Sequence, residues 1–382
     1  MKIGLLLPSL LMTPRYDDRI FAPKSLFISL VNGLVDRGHT VYVYSASNVK
    51  TKGILIAGDE ELERERLPSK KLGLDHSVML MRYKPLTIEY EVDLTAKALK
   101  HAQAAKLDIM HTYHDFLIRY FAQLVPQLPL VYTLHDALPS ADTLEGWRLD
   151  HFSHENYVAI SQNQADEYRK RVHVTGVVYH GLDAETSSFS TQKSNYLAFL
   201  GRLVPEKGAL DAVEVARRLS LQLKISTSKF YYGNPYFVNR VKPHVDGKIV
   251  SLLGFLRDDE KTNFLKHARA FLFPIHWEEP FGMVMLEALA CGTPVVAYNY
   301  GSVPEIIKDG ITGFIVNDDS AGARQGKWVI EKRGVAGLVE AVKRISEIDP
   351  HACRRHVEEN FTIEKMVQGY EAVYQKVLQS KS

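Results

Sequence analysis

The chain has 382 residues, 46% hydrophobic and 24% charged, with a formal net charge of +2. That length exceeds the ~100–200 residues of a single domain and supports cores that need no staple. Residues 1–190 hold 21 Lys+Arg against 23 Asp+Glu and the rest 26 against 22, so neither half has the basic surplus that nucleic acid attracts. Cys291 and Cys353 are the only cysteines, which indicates no disulfide framework. The apolar start, Met1 to Pro8, is too short for a secretory leader, and no run approaches the ~20 apolar residues of a membrane span. The expectation is a cytoplasmic enzyme, with peripheral membrane contact left open but unsupported.

In chain order, Lys2 to Leu7 reads as a buried parallel strand, followed by a loop and an amphipathic helix from about Pro23 to Arg37. Gly38-His39 stops that helix, and Thr40 to Tyr44 is the next strand, completing a βαβ unit. The alternation recurs with a strand at Asp108–His111, a helix at Phe116–Leu124 and strands at Leu130–Leu134, Tyr157–Ile160 and Gly176–Tyr179. Ala184 to Ser194 is polar, aperiodic and rich in Ser and Thr, as a linker would be. Beyond it come a strand at Tyr196–Leu200, a helix at Ala209–Leu219, and strands at Leu221–Ile225, Ile249–Leu253, Ala270–Phe273 and Pro294–Ala297. A plain helix from Met366 to Leu378 ends the pattern. This predicts an α/β protein with two doubly wound halves, 1–190 and 191–365, and a terminal helix within 366–382.

Two segments carry chemistry. In the run from Trp277 to Val296, Pro280 and Gly282 mark a turn before an apolar helix that ends at Gly292. The backbone N–H groups of Phe281, Gly282, Met283 and Val284 then lie at a helix N-terminus, which attracts phosphate through unpaired donors and the helix dipole. Glu287, one turn in, suits a ribose diol, and Glu279 before the turn suits whatever the far phosphate carries. Two solvated glutamates on a surface helix are the bland alternative, weakened by the turn between them and the apolar surroundings of Glu287. The second segment, Gly201 to Gly208, follows the first strand of the second half, where doubly wound folds bind ligand. Arg202 as a fork donor and Lys207 as a point charge suit a diphosphate, against the alternative of ordinary surface charges.

These segments, with Gly301-Ser302-Val303-Pro304-Glu305-Ile306-Ile307 and Gly313-Phe314, resemble glycosyltransferase family 4. The likeness extends to Gly33–Val41, Thr133-Leu134-His135-Asp136, Val158–Ser161 and Tyr179-His180-Gly181-Leu182-Asp183, and so spans nearly the whole chain. It implies the GT-B fold: two Rossmann-like domains facing a cleft, an acceptor side in 1–190, a nucleotide-sugar donor side in 191–365, and a terminal helix returning to the first domain. It also implies a retaining transferase. Arg202 and Lys207 would neutralise the donor diphosphate, Glu287 would hold the ribose, and Glu279 with the amides after Pro280 would hold hydroxyls of the sugar. His135 would reach the donor from the first domain, and Phe255 and Leu256, after Gly254, would flank the base. No cofactor is implied beyond the donor, a UDP- or GDP-sugar, and the partner is a hydroxyl-bearing acceptor.

The family commonly has a Gly-Gly pair after the first strand, where this chain has Asp17-Asp18-Arg19-Ile20-Phe21-Ala22-Pro23, which predicts a reshaped acceptor side or a differently placed phosphate contact. It usually has Gly-x-Gly where Ser226 to Tyr236 stands here, so Lys229, Tyr231 and Tyr232 are expected to reshape the base or phosphate pocket. His111, His114 and His135 lack the spacing of a zinc motif and are read as hydrogen-bonding pocket residues, so no metal site is expected. Trp147 and Trp277 are candidates for stacking on sugars or for the core. With no isolated carboxylate to nominate as nucleophile, a front-face transfer with the leaving phosphate as base is favoured, and hinge closure about Ala184–Ser194 would bring His135 to the donor. Removing the Lys207 charge is expected to cost turnover far more than stability. A glycoside phosphorylase and a non-catalytic sugar or nucleotide binder remain open. A dinucleotide oxidoreductase is disfavoured, because no G-x-G-x-x-G follows either initial strand.

Overall fold

The computed structural model describes residues 1–9, 12, 23–65, 84–113 and 117–380. The loop Asp17–Ala22, His114 and Phe116, on which expectations rest, lie outside the described residues. Two parallel sheets organise the chain. The first contains β1 (Lys2–Leu6), β2 (Thr40–Ser45), β3 (Ile54–Ala57), β4 (Ile109–Tyr113), β5 (Leu130–Thr133), β6 (Asn156–Ala159) and β7 (Val174–Val177), in the order β3-β2-β1-β4-β5-β6-β7. The second contains β8 (Tyr196–Leu200), β9 (Gln222–Ser226), β10 (Val250–Gly254), β11 (Ala270–Phe273), β12 (Val295–Tyr298) and β13 (Gly313–Val316), in the order β10-β9-β8-β11-β12-β13. The expected α/β architecture of two doubly wound halves is what the structure has.

The described helices in chain order begin with α1 (Pro23–Asp36), α2 (Glu60–Glu65), α3 (Lys84–Ala105), α4 (Leu117–Phe121), α5 (Leu144–His151), α6 (Gln162–Tyr168) and α7 (Ala209–Leu219). They continue with α8 (Asp258–Lys266), α9 (Met283–Ala290), α10 (Val303–Ile306), α11 (Gly334–Lys343), α12 (Pro350–Asn360) and α13 (Ile363–Gln379). Residues three and four apart form the buried stripe of α1, where Leu26, Phe27, Leu30, Val31 and Leu34 face the sheet. The strands are short and mostly apolar because helices cover both faces of each sheet.

The last helix crosses back to the first half. Met366, Val367, Tyr370, Val373, Tyr374 and Val377 of α13 join the core formed by β1, β2 and α1. The helix starts at Ile363, ahead of the expected Met366, because the Thr362 side chain caps it by accepting from the Lys365 N–H. His111 belongs to this contact and not to a pocket, correcting the expectation. It is fully buried, with Nδ1 2.8 Å from the Tyr374 hydroxyl and Nε2 2.8 Å from Thr133 Oγ1. Burial pushes its pKa down to about 3, so the ring is neutral and serves as a polar rivet between sheet and helix.

The segment Ala184–Ser194, the expected linker, lies between β7 and β8 and is tied down along its length. Ala184–Thr186 forms a single 3₁₀ turn, and the Lys193 ammonium donates to the Lys266 carbonyl at 2.8 Å and to Thr293 Oγ1 at 2.9 Å, anchoring the far end. The chain crosses between the halves a second time at Phe361–Thr362, alongside the first crossing. The Leu182 N–H donates to the Phe361 carbonyl at 2.8 Å, and a Cβ on Gly181 would stand 2.5 Å from the Thr362 carbonyl oxygen.

Candidate active site

In the second sheet the chain runs outward from β8 through β9 to β10, then restarts at β11 on the other side of β8. The loops after β8 and β11 therefore diverge from the switch point, the crevice where open α/β sheets bind ligands. Both sequence-predicted segments lie there. After β8 come Gly201 to Val204, a 3₁₀ turn at Pro205–Lys207, and Gly208, which caps α7. Gly208 has φ +69°, and a Cβ there would lie 1.7 Å from the Pro274 carbonyl oxygen, so only glycine lets the two loops touch backbone to backbone. The His276 N–H donates to the Glu206 carbonyl at 2.9 Å and adds a second tie.

The contact brings Lys207 and Glu279 together. The Lys207 ammonium donates to Glu279 Oε2 and lies 4.6 Å from the centre of the Trp277 ring, and the Trp277 indole N–H donates to the same carboxylate oxygen at 2.9 Å. Both members of the ion pair are 12% exposed. Trp277 is thus part of the site, whereas Trp147 is half exposed on α5 and stacks on His151 at 5.0 Å, remote from these loops in the sequence and bonded to neither. Gly282, with φ +80°, caps α9, so the N–H groups of the turn from Phe281 to Val284 fall at the start of its ladder. Arg202 makes no hydrogen bond or ion pair among the described residues, which leaves its guanidinium available to an anion.

Glu287 does have a partner that the sequence did not reveal. Lys261, on α8, donates to Glu287 Oε1 at 2.8 Å. Phe255 and Leu256 are half-buried in the turn between β10 and α8, just upstream of Lys261. The Gly254 carbonyl accepts from the Thr227 N–H at 3.0 Å and from the Ser226 hydroxyl at 3.0 Å, which joins this turn to the Ser226–Tyr236 stretch. In that stretch Lys229–Gly233 form a 3₁₀ turn and Tyr232 stacks on Phe237 at 5.3 Å, so aromatic side chains stand where glycines were the family expectation.

From the first half, His135 follows β5 and is half-buried, with its ring 4.4 Å from Tyr113 and 5.5 Å from His180 in a stacked arrangement. His180 lies edge-on to Phe281 at 4.9 Å, so a line of rings runs from His135 to the N-terminus of α9. Burial pushes the His180 pKa down to about 3. Met283 packs against the apolar cores of both halves.

Glu305 joins the halves most directly. Its carboxylate accepts from the Gln162 N–H at 2.7 Å, the Asn163 N–H at 2.8 Å and the Tyr179 hydroxyl at 2.8 Å. The first two are the N-terminal amides of α6, whose third is taken by the Ser161 side chain, so a carboxylate from the other half completes that helix's cap. Glu278, beside Glu279, accepts from the Gly301 N–H at 2.6 Å and from Asn163 Nδ2 at 3.3 Å. Among the described residues, no group of His, Cys, Asp and Glu converges as a metal site and no helix is long and apolar enough to cross a membrane.

The family model described as "Glycosyl transferases group 1" matches residues 183–333, and that described as "Glycosyltransferase Family 4" matches residues 25–186. The chain is 27% identical over 290 residues to an uncharacterised glycosyltransferase of Methanocaldococcus jannaschii, covering 71% of this chain and 76% of that one. It is 27% identical over 291 residues to the glycogen synthase of Mycobacterium tuberculosis, covering 69% of this chain and 65% of the synthase. Among solved structures, the Anabaena protein HepE in complex with UDP and glucose superposes with a TM-score of 0.68 at 16% identity, covering 98% of this chain and 99% of that one.

Proposed function

The chain belongs to the family 4 glycosyltransferases, and we propose that it moves a hexosyl group, with retention, from a nucleoside-diphosphate sugar to a hydroxyl acceptor without a metal ion. The observation that carries this reading is the meeting of Lys207 with Glu279 at the switch point, beside the N-terminus of α9. The donor is UDP- or GDP-linked. The UDP and glucose held by HepE favour UDP, which is read across at the level of fold alone.

Negative charge builds on the diphosphate as the glycosidic bond breaks. Lys207 and the first amides of α9 are fixed before the reaction, so they stabilise that charge without reorganising, and the Arg202 guanidinium, unengaged among the described residues, adds a fork donor. These donors take the part a divalent cation plays elsewhere, which is why none is needed. Glu287 holds the ribose, with Lys261 fixing its rotamer and compensating its charge. Glu279 is held by Lys207 and Trp277, so it is suited to orienting sugar hydroxyls and poorly suited to attacking the anomeric carbon. This supports the front-face route, in which a phosphate oxygen takes the acceptor proton. His135 reaches the donor sugar from the first half, and Phe255 and Leu256 flank the base.

Calorimetric titration with UDP, GDP and ADP, wild type beside Glu287→Ala, tests the reading. One diphosphate is expected to bind, and loss of a charge-assisted bond to the ribose is expected to weaken it about tenfold or more. Failure of all three to bind would remove the basis of the proposal. Release of sugar 1-phosphate in inorganic phosphate would then identify a phosphorylase.

A further inference from the structure

His276 lies between the two donor-site loops and makes contacts that neither the diphosphate nor the sugar requires. Its Nδ1 is 2.9 Å from Asp318 Oδ2 and its Nε2 is 3.1 Å from Asp211 Oδ2. Asp211 lies in the first turn of α7, directly after the Lys207 loop, and Asp318 follows β13 with a side chain only 2% exposed. The Tyr298 hydroxyl donates to Asp211 at 2.9 Å, while those of Tyr300 and Ser320 donate to Asp318 at 2.8 and 2.9 Å. A neutral imidazole has one N–H and one acceptor nitrogen, so it cannot donate to two carboxylates. With Tyr298, Tyr300 and Ser320 all able to donate their protons to these oxygens, the arrangement is satisfied by imidazolium.

We infer that His276 is a positioning residue of the donor site: bonded through both ring nitrogens, it ties α7 to the loop after β13 and so holds Lys207 and Glu279 in place. The chain's own connectivity transmits the effect. Lys207 is four residues before Asp211, Glu279 is three after His276, and the His276 N–H is bonded to the carbonyl beside Lys207. Loss of the ring proton turns one charge-assisted bond into a contact between a lone pair and a carboxylate, which pushes the loops apart. The inference rests on the reading of Lys207 and Glu279 as donor ligands.

The groups facing the ring are Asp211 from α7, Asp318 after β13, and the Tyr298 and Tyr300 phenols at the end of β12, with ring centres 5.2 and 6.4 Å from the imidazole. Asp319, beside Asp318, also acts on Tyr298. Hydrogen bonding to Asp211, then the charges and bonds of both aspartates, outweigh burial and raise the His276 pKa above its ordinary 6.5. The folded state therefore keeps the proton below pH 6.5 and gives it up only as pH rises through the raised value. The alkaline side is where the clamp opens.

The test combines proton NMR of the His276 ring with titration of UDP and GDP between pH 7.5 and 9.5, where the nucleotide's terminal phosphate, with a pKa of about 6, stays ionised. Wild type, His276→Gln and His276→Arg are compared. The ring is expected to titrate above 6.5, and wild-type affinity to fall as it does so. His276→Gln is expected to bind about tenfold more weakly at pH 7.5 with no step above it. His276→Arg, which donates to both aspartates at every pH, is expected to restore affinity to within a few-fold and to abolish the step. A ring titrating at or below 6.5, or a pH step that persists in His276→Arg, overturns the inference. If neither nucleotide binds wild type at any pH, the functional reading fails, while the NMR titration still decides whether the clamp is charged.

Discussion

Lys207→Met separates what the Lys207 charge does for the fold from what it does for the reaction. In the sequence Lys207 is a loop cation whose loss should cost turnover and little else. In the structure its partner Glu279 is 12% exposed and would keep a single donor, the Trp277 indole at 2.9 Å. Breaking a buried pair from one side costs ~3–5 kcal/mol. Water reaching a cleft lowers that to ~2–3 kcal/mol, since the penalty is that of a partly solvated carboxylate. For a half of this size, with ~2–4 °C of melting temperature per kcal/mol, the second half is expected to melt about 4–12 °C lower. Glu279→Gln in the same chain removes the stranded charge, and most of that loss should return. Turnover should not return, because a preorganised charge at a departing group is worth ~10²–10³ in rate. The assay is release of the nucleoside diphosphate that binds by calorimetry, alongside thermal unfolding, for wild type, both single variants and the double variant. Recovery of turnover together with stability in the double variant would refute the assignment of Lys207 to the diphosphate, leaving it a partner for Glu279 and nothing more.

Glu305→Ala removes three hydrogen bonds between the halves, worth ~1–2 kcal/mol in all once exposure is counted. Small-angle scattering of the free protein is expected to show a larger radius of gyration at nearly unchanged melting temperature, and a scattering curve that overlays wild type would dismiss the latch. His111 and His180 are both buried neutral, with pKa values near 3 against 6.5 for an exposed imidazole. The unfolded chain binds these protons first, so stability is complete above pH 6.5 and falls as pH drops toward 3, by ~1.4 kcal/mol per pH unit for each ring. Urea midpoints between pH 7 and 4.5 measure this; His111→Gln should be less acid-sensitive than wild type, and a flat wild-type profile would contradict the burial argument.

The sequence revealed most where a function depends on neighbouring residues. The strands β8 and β11 and the stretch Ile3–Leu7 are unbroken apolar runs, and the turn at Pro280–Gly282 announces a helix N-terminus, so the two loops that meet at the switch point were both legible. Elements with weak local pattern were not. The four-residue edge strand β3 has no alternation to detect, and α3 buries a stripe built from Tyr90, Leu94, Ala98, Leu99 and Ala102, in which alanines dilute the apolar signal. Side chains that meet only through the fold were also hidden. Lys261 is 26 residues from Glu287, and the three members of the His276 clamp span residues 211 to 318. Glu305 lies in the Gly301–Ile307 motif, but its partners are Gln162 and Asn163 on α6 and Tyr179, all in the other half. The missed histidine could have been found by asking why an ionisable residue directly precedes Trp277-Glu278-Glu279.

The return of α13 has a consequence for synthesis. Nascent domains generally fold as units, the earlier one first. Here the earlier sheet cannot close its core until α13 has left the ribosome, because Tyr370, Val373 and Tyr374 fill it and His111 Nδ1 has its partner on Tyr374. The later sheet, complete by α12, is free to form before the one that precedes it in the chain. Until the last seventeen helical residues arrive, the flank of α1 that will receive Val367 at Gly33 stands exposed as an apolar groove, available to a chaperone or to the corresponding helix of another nascent copy.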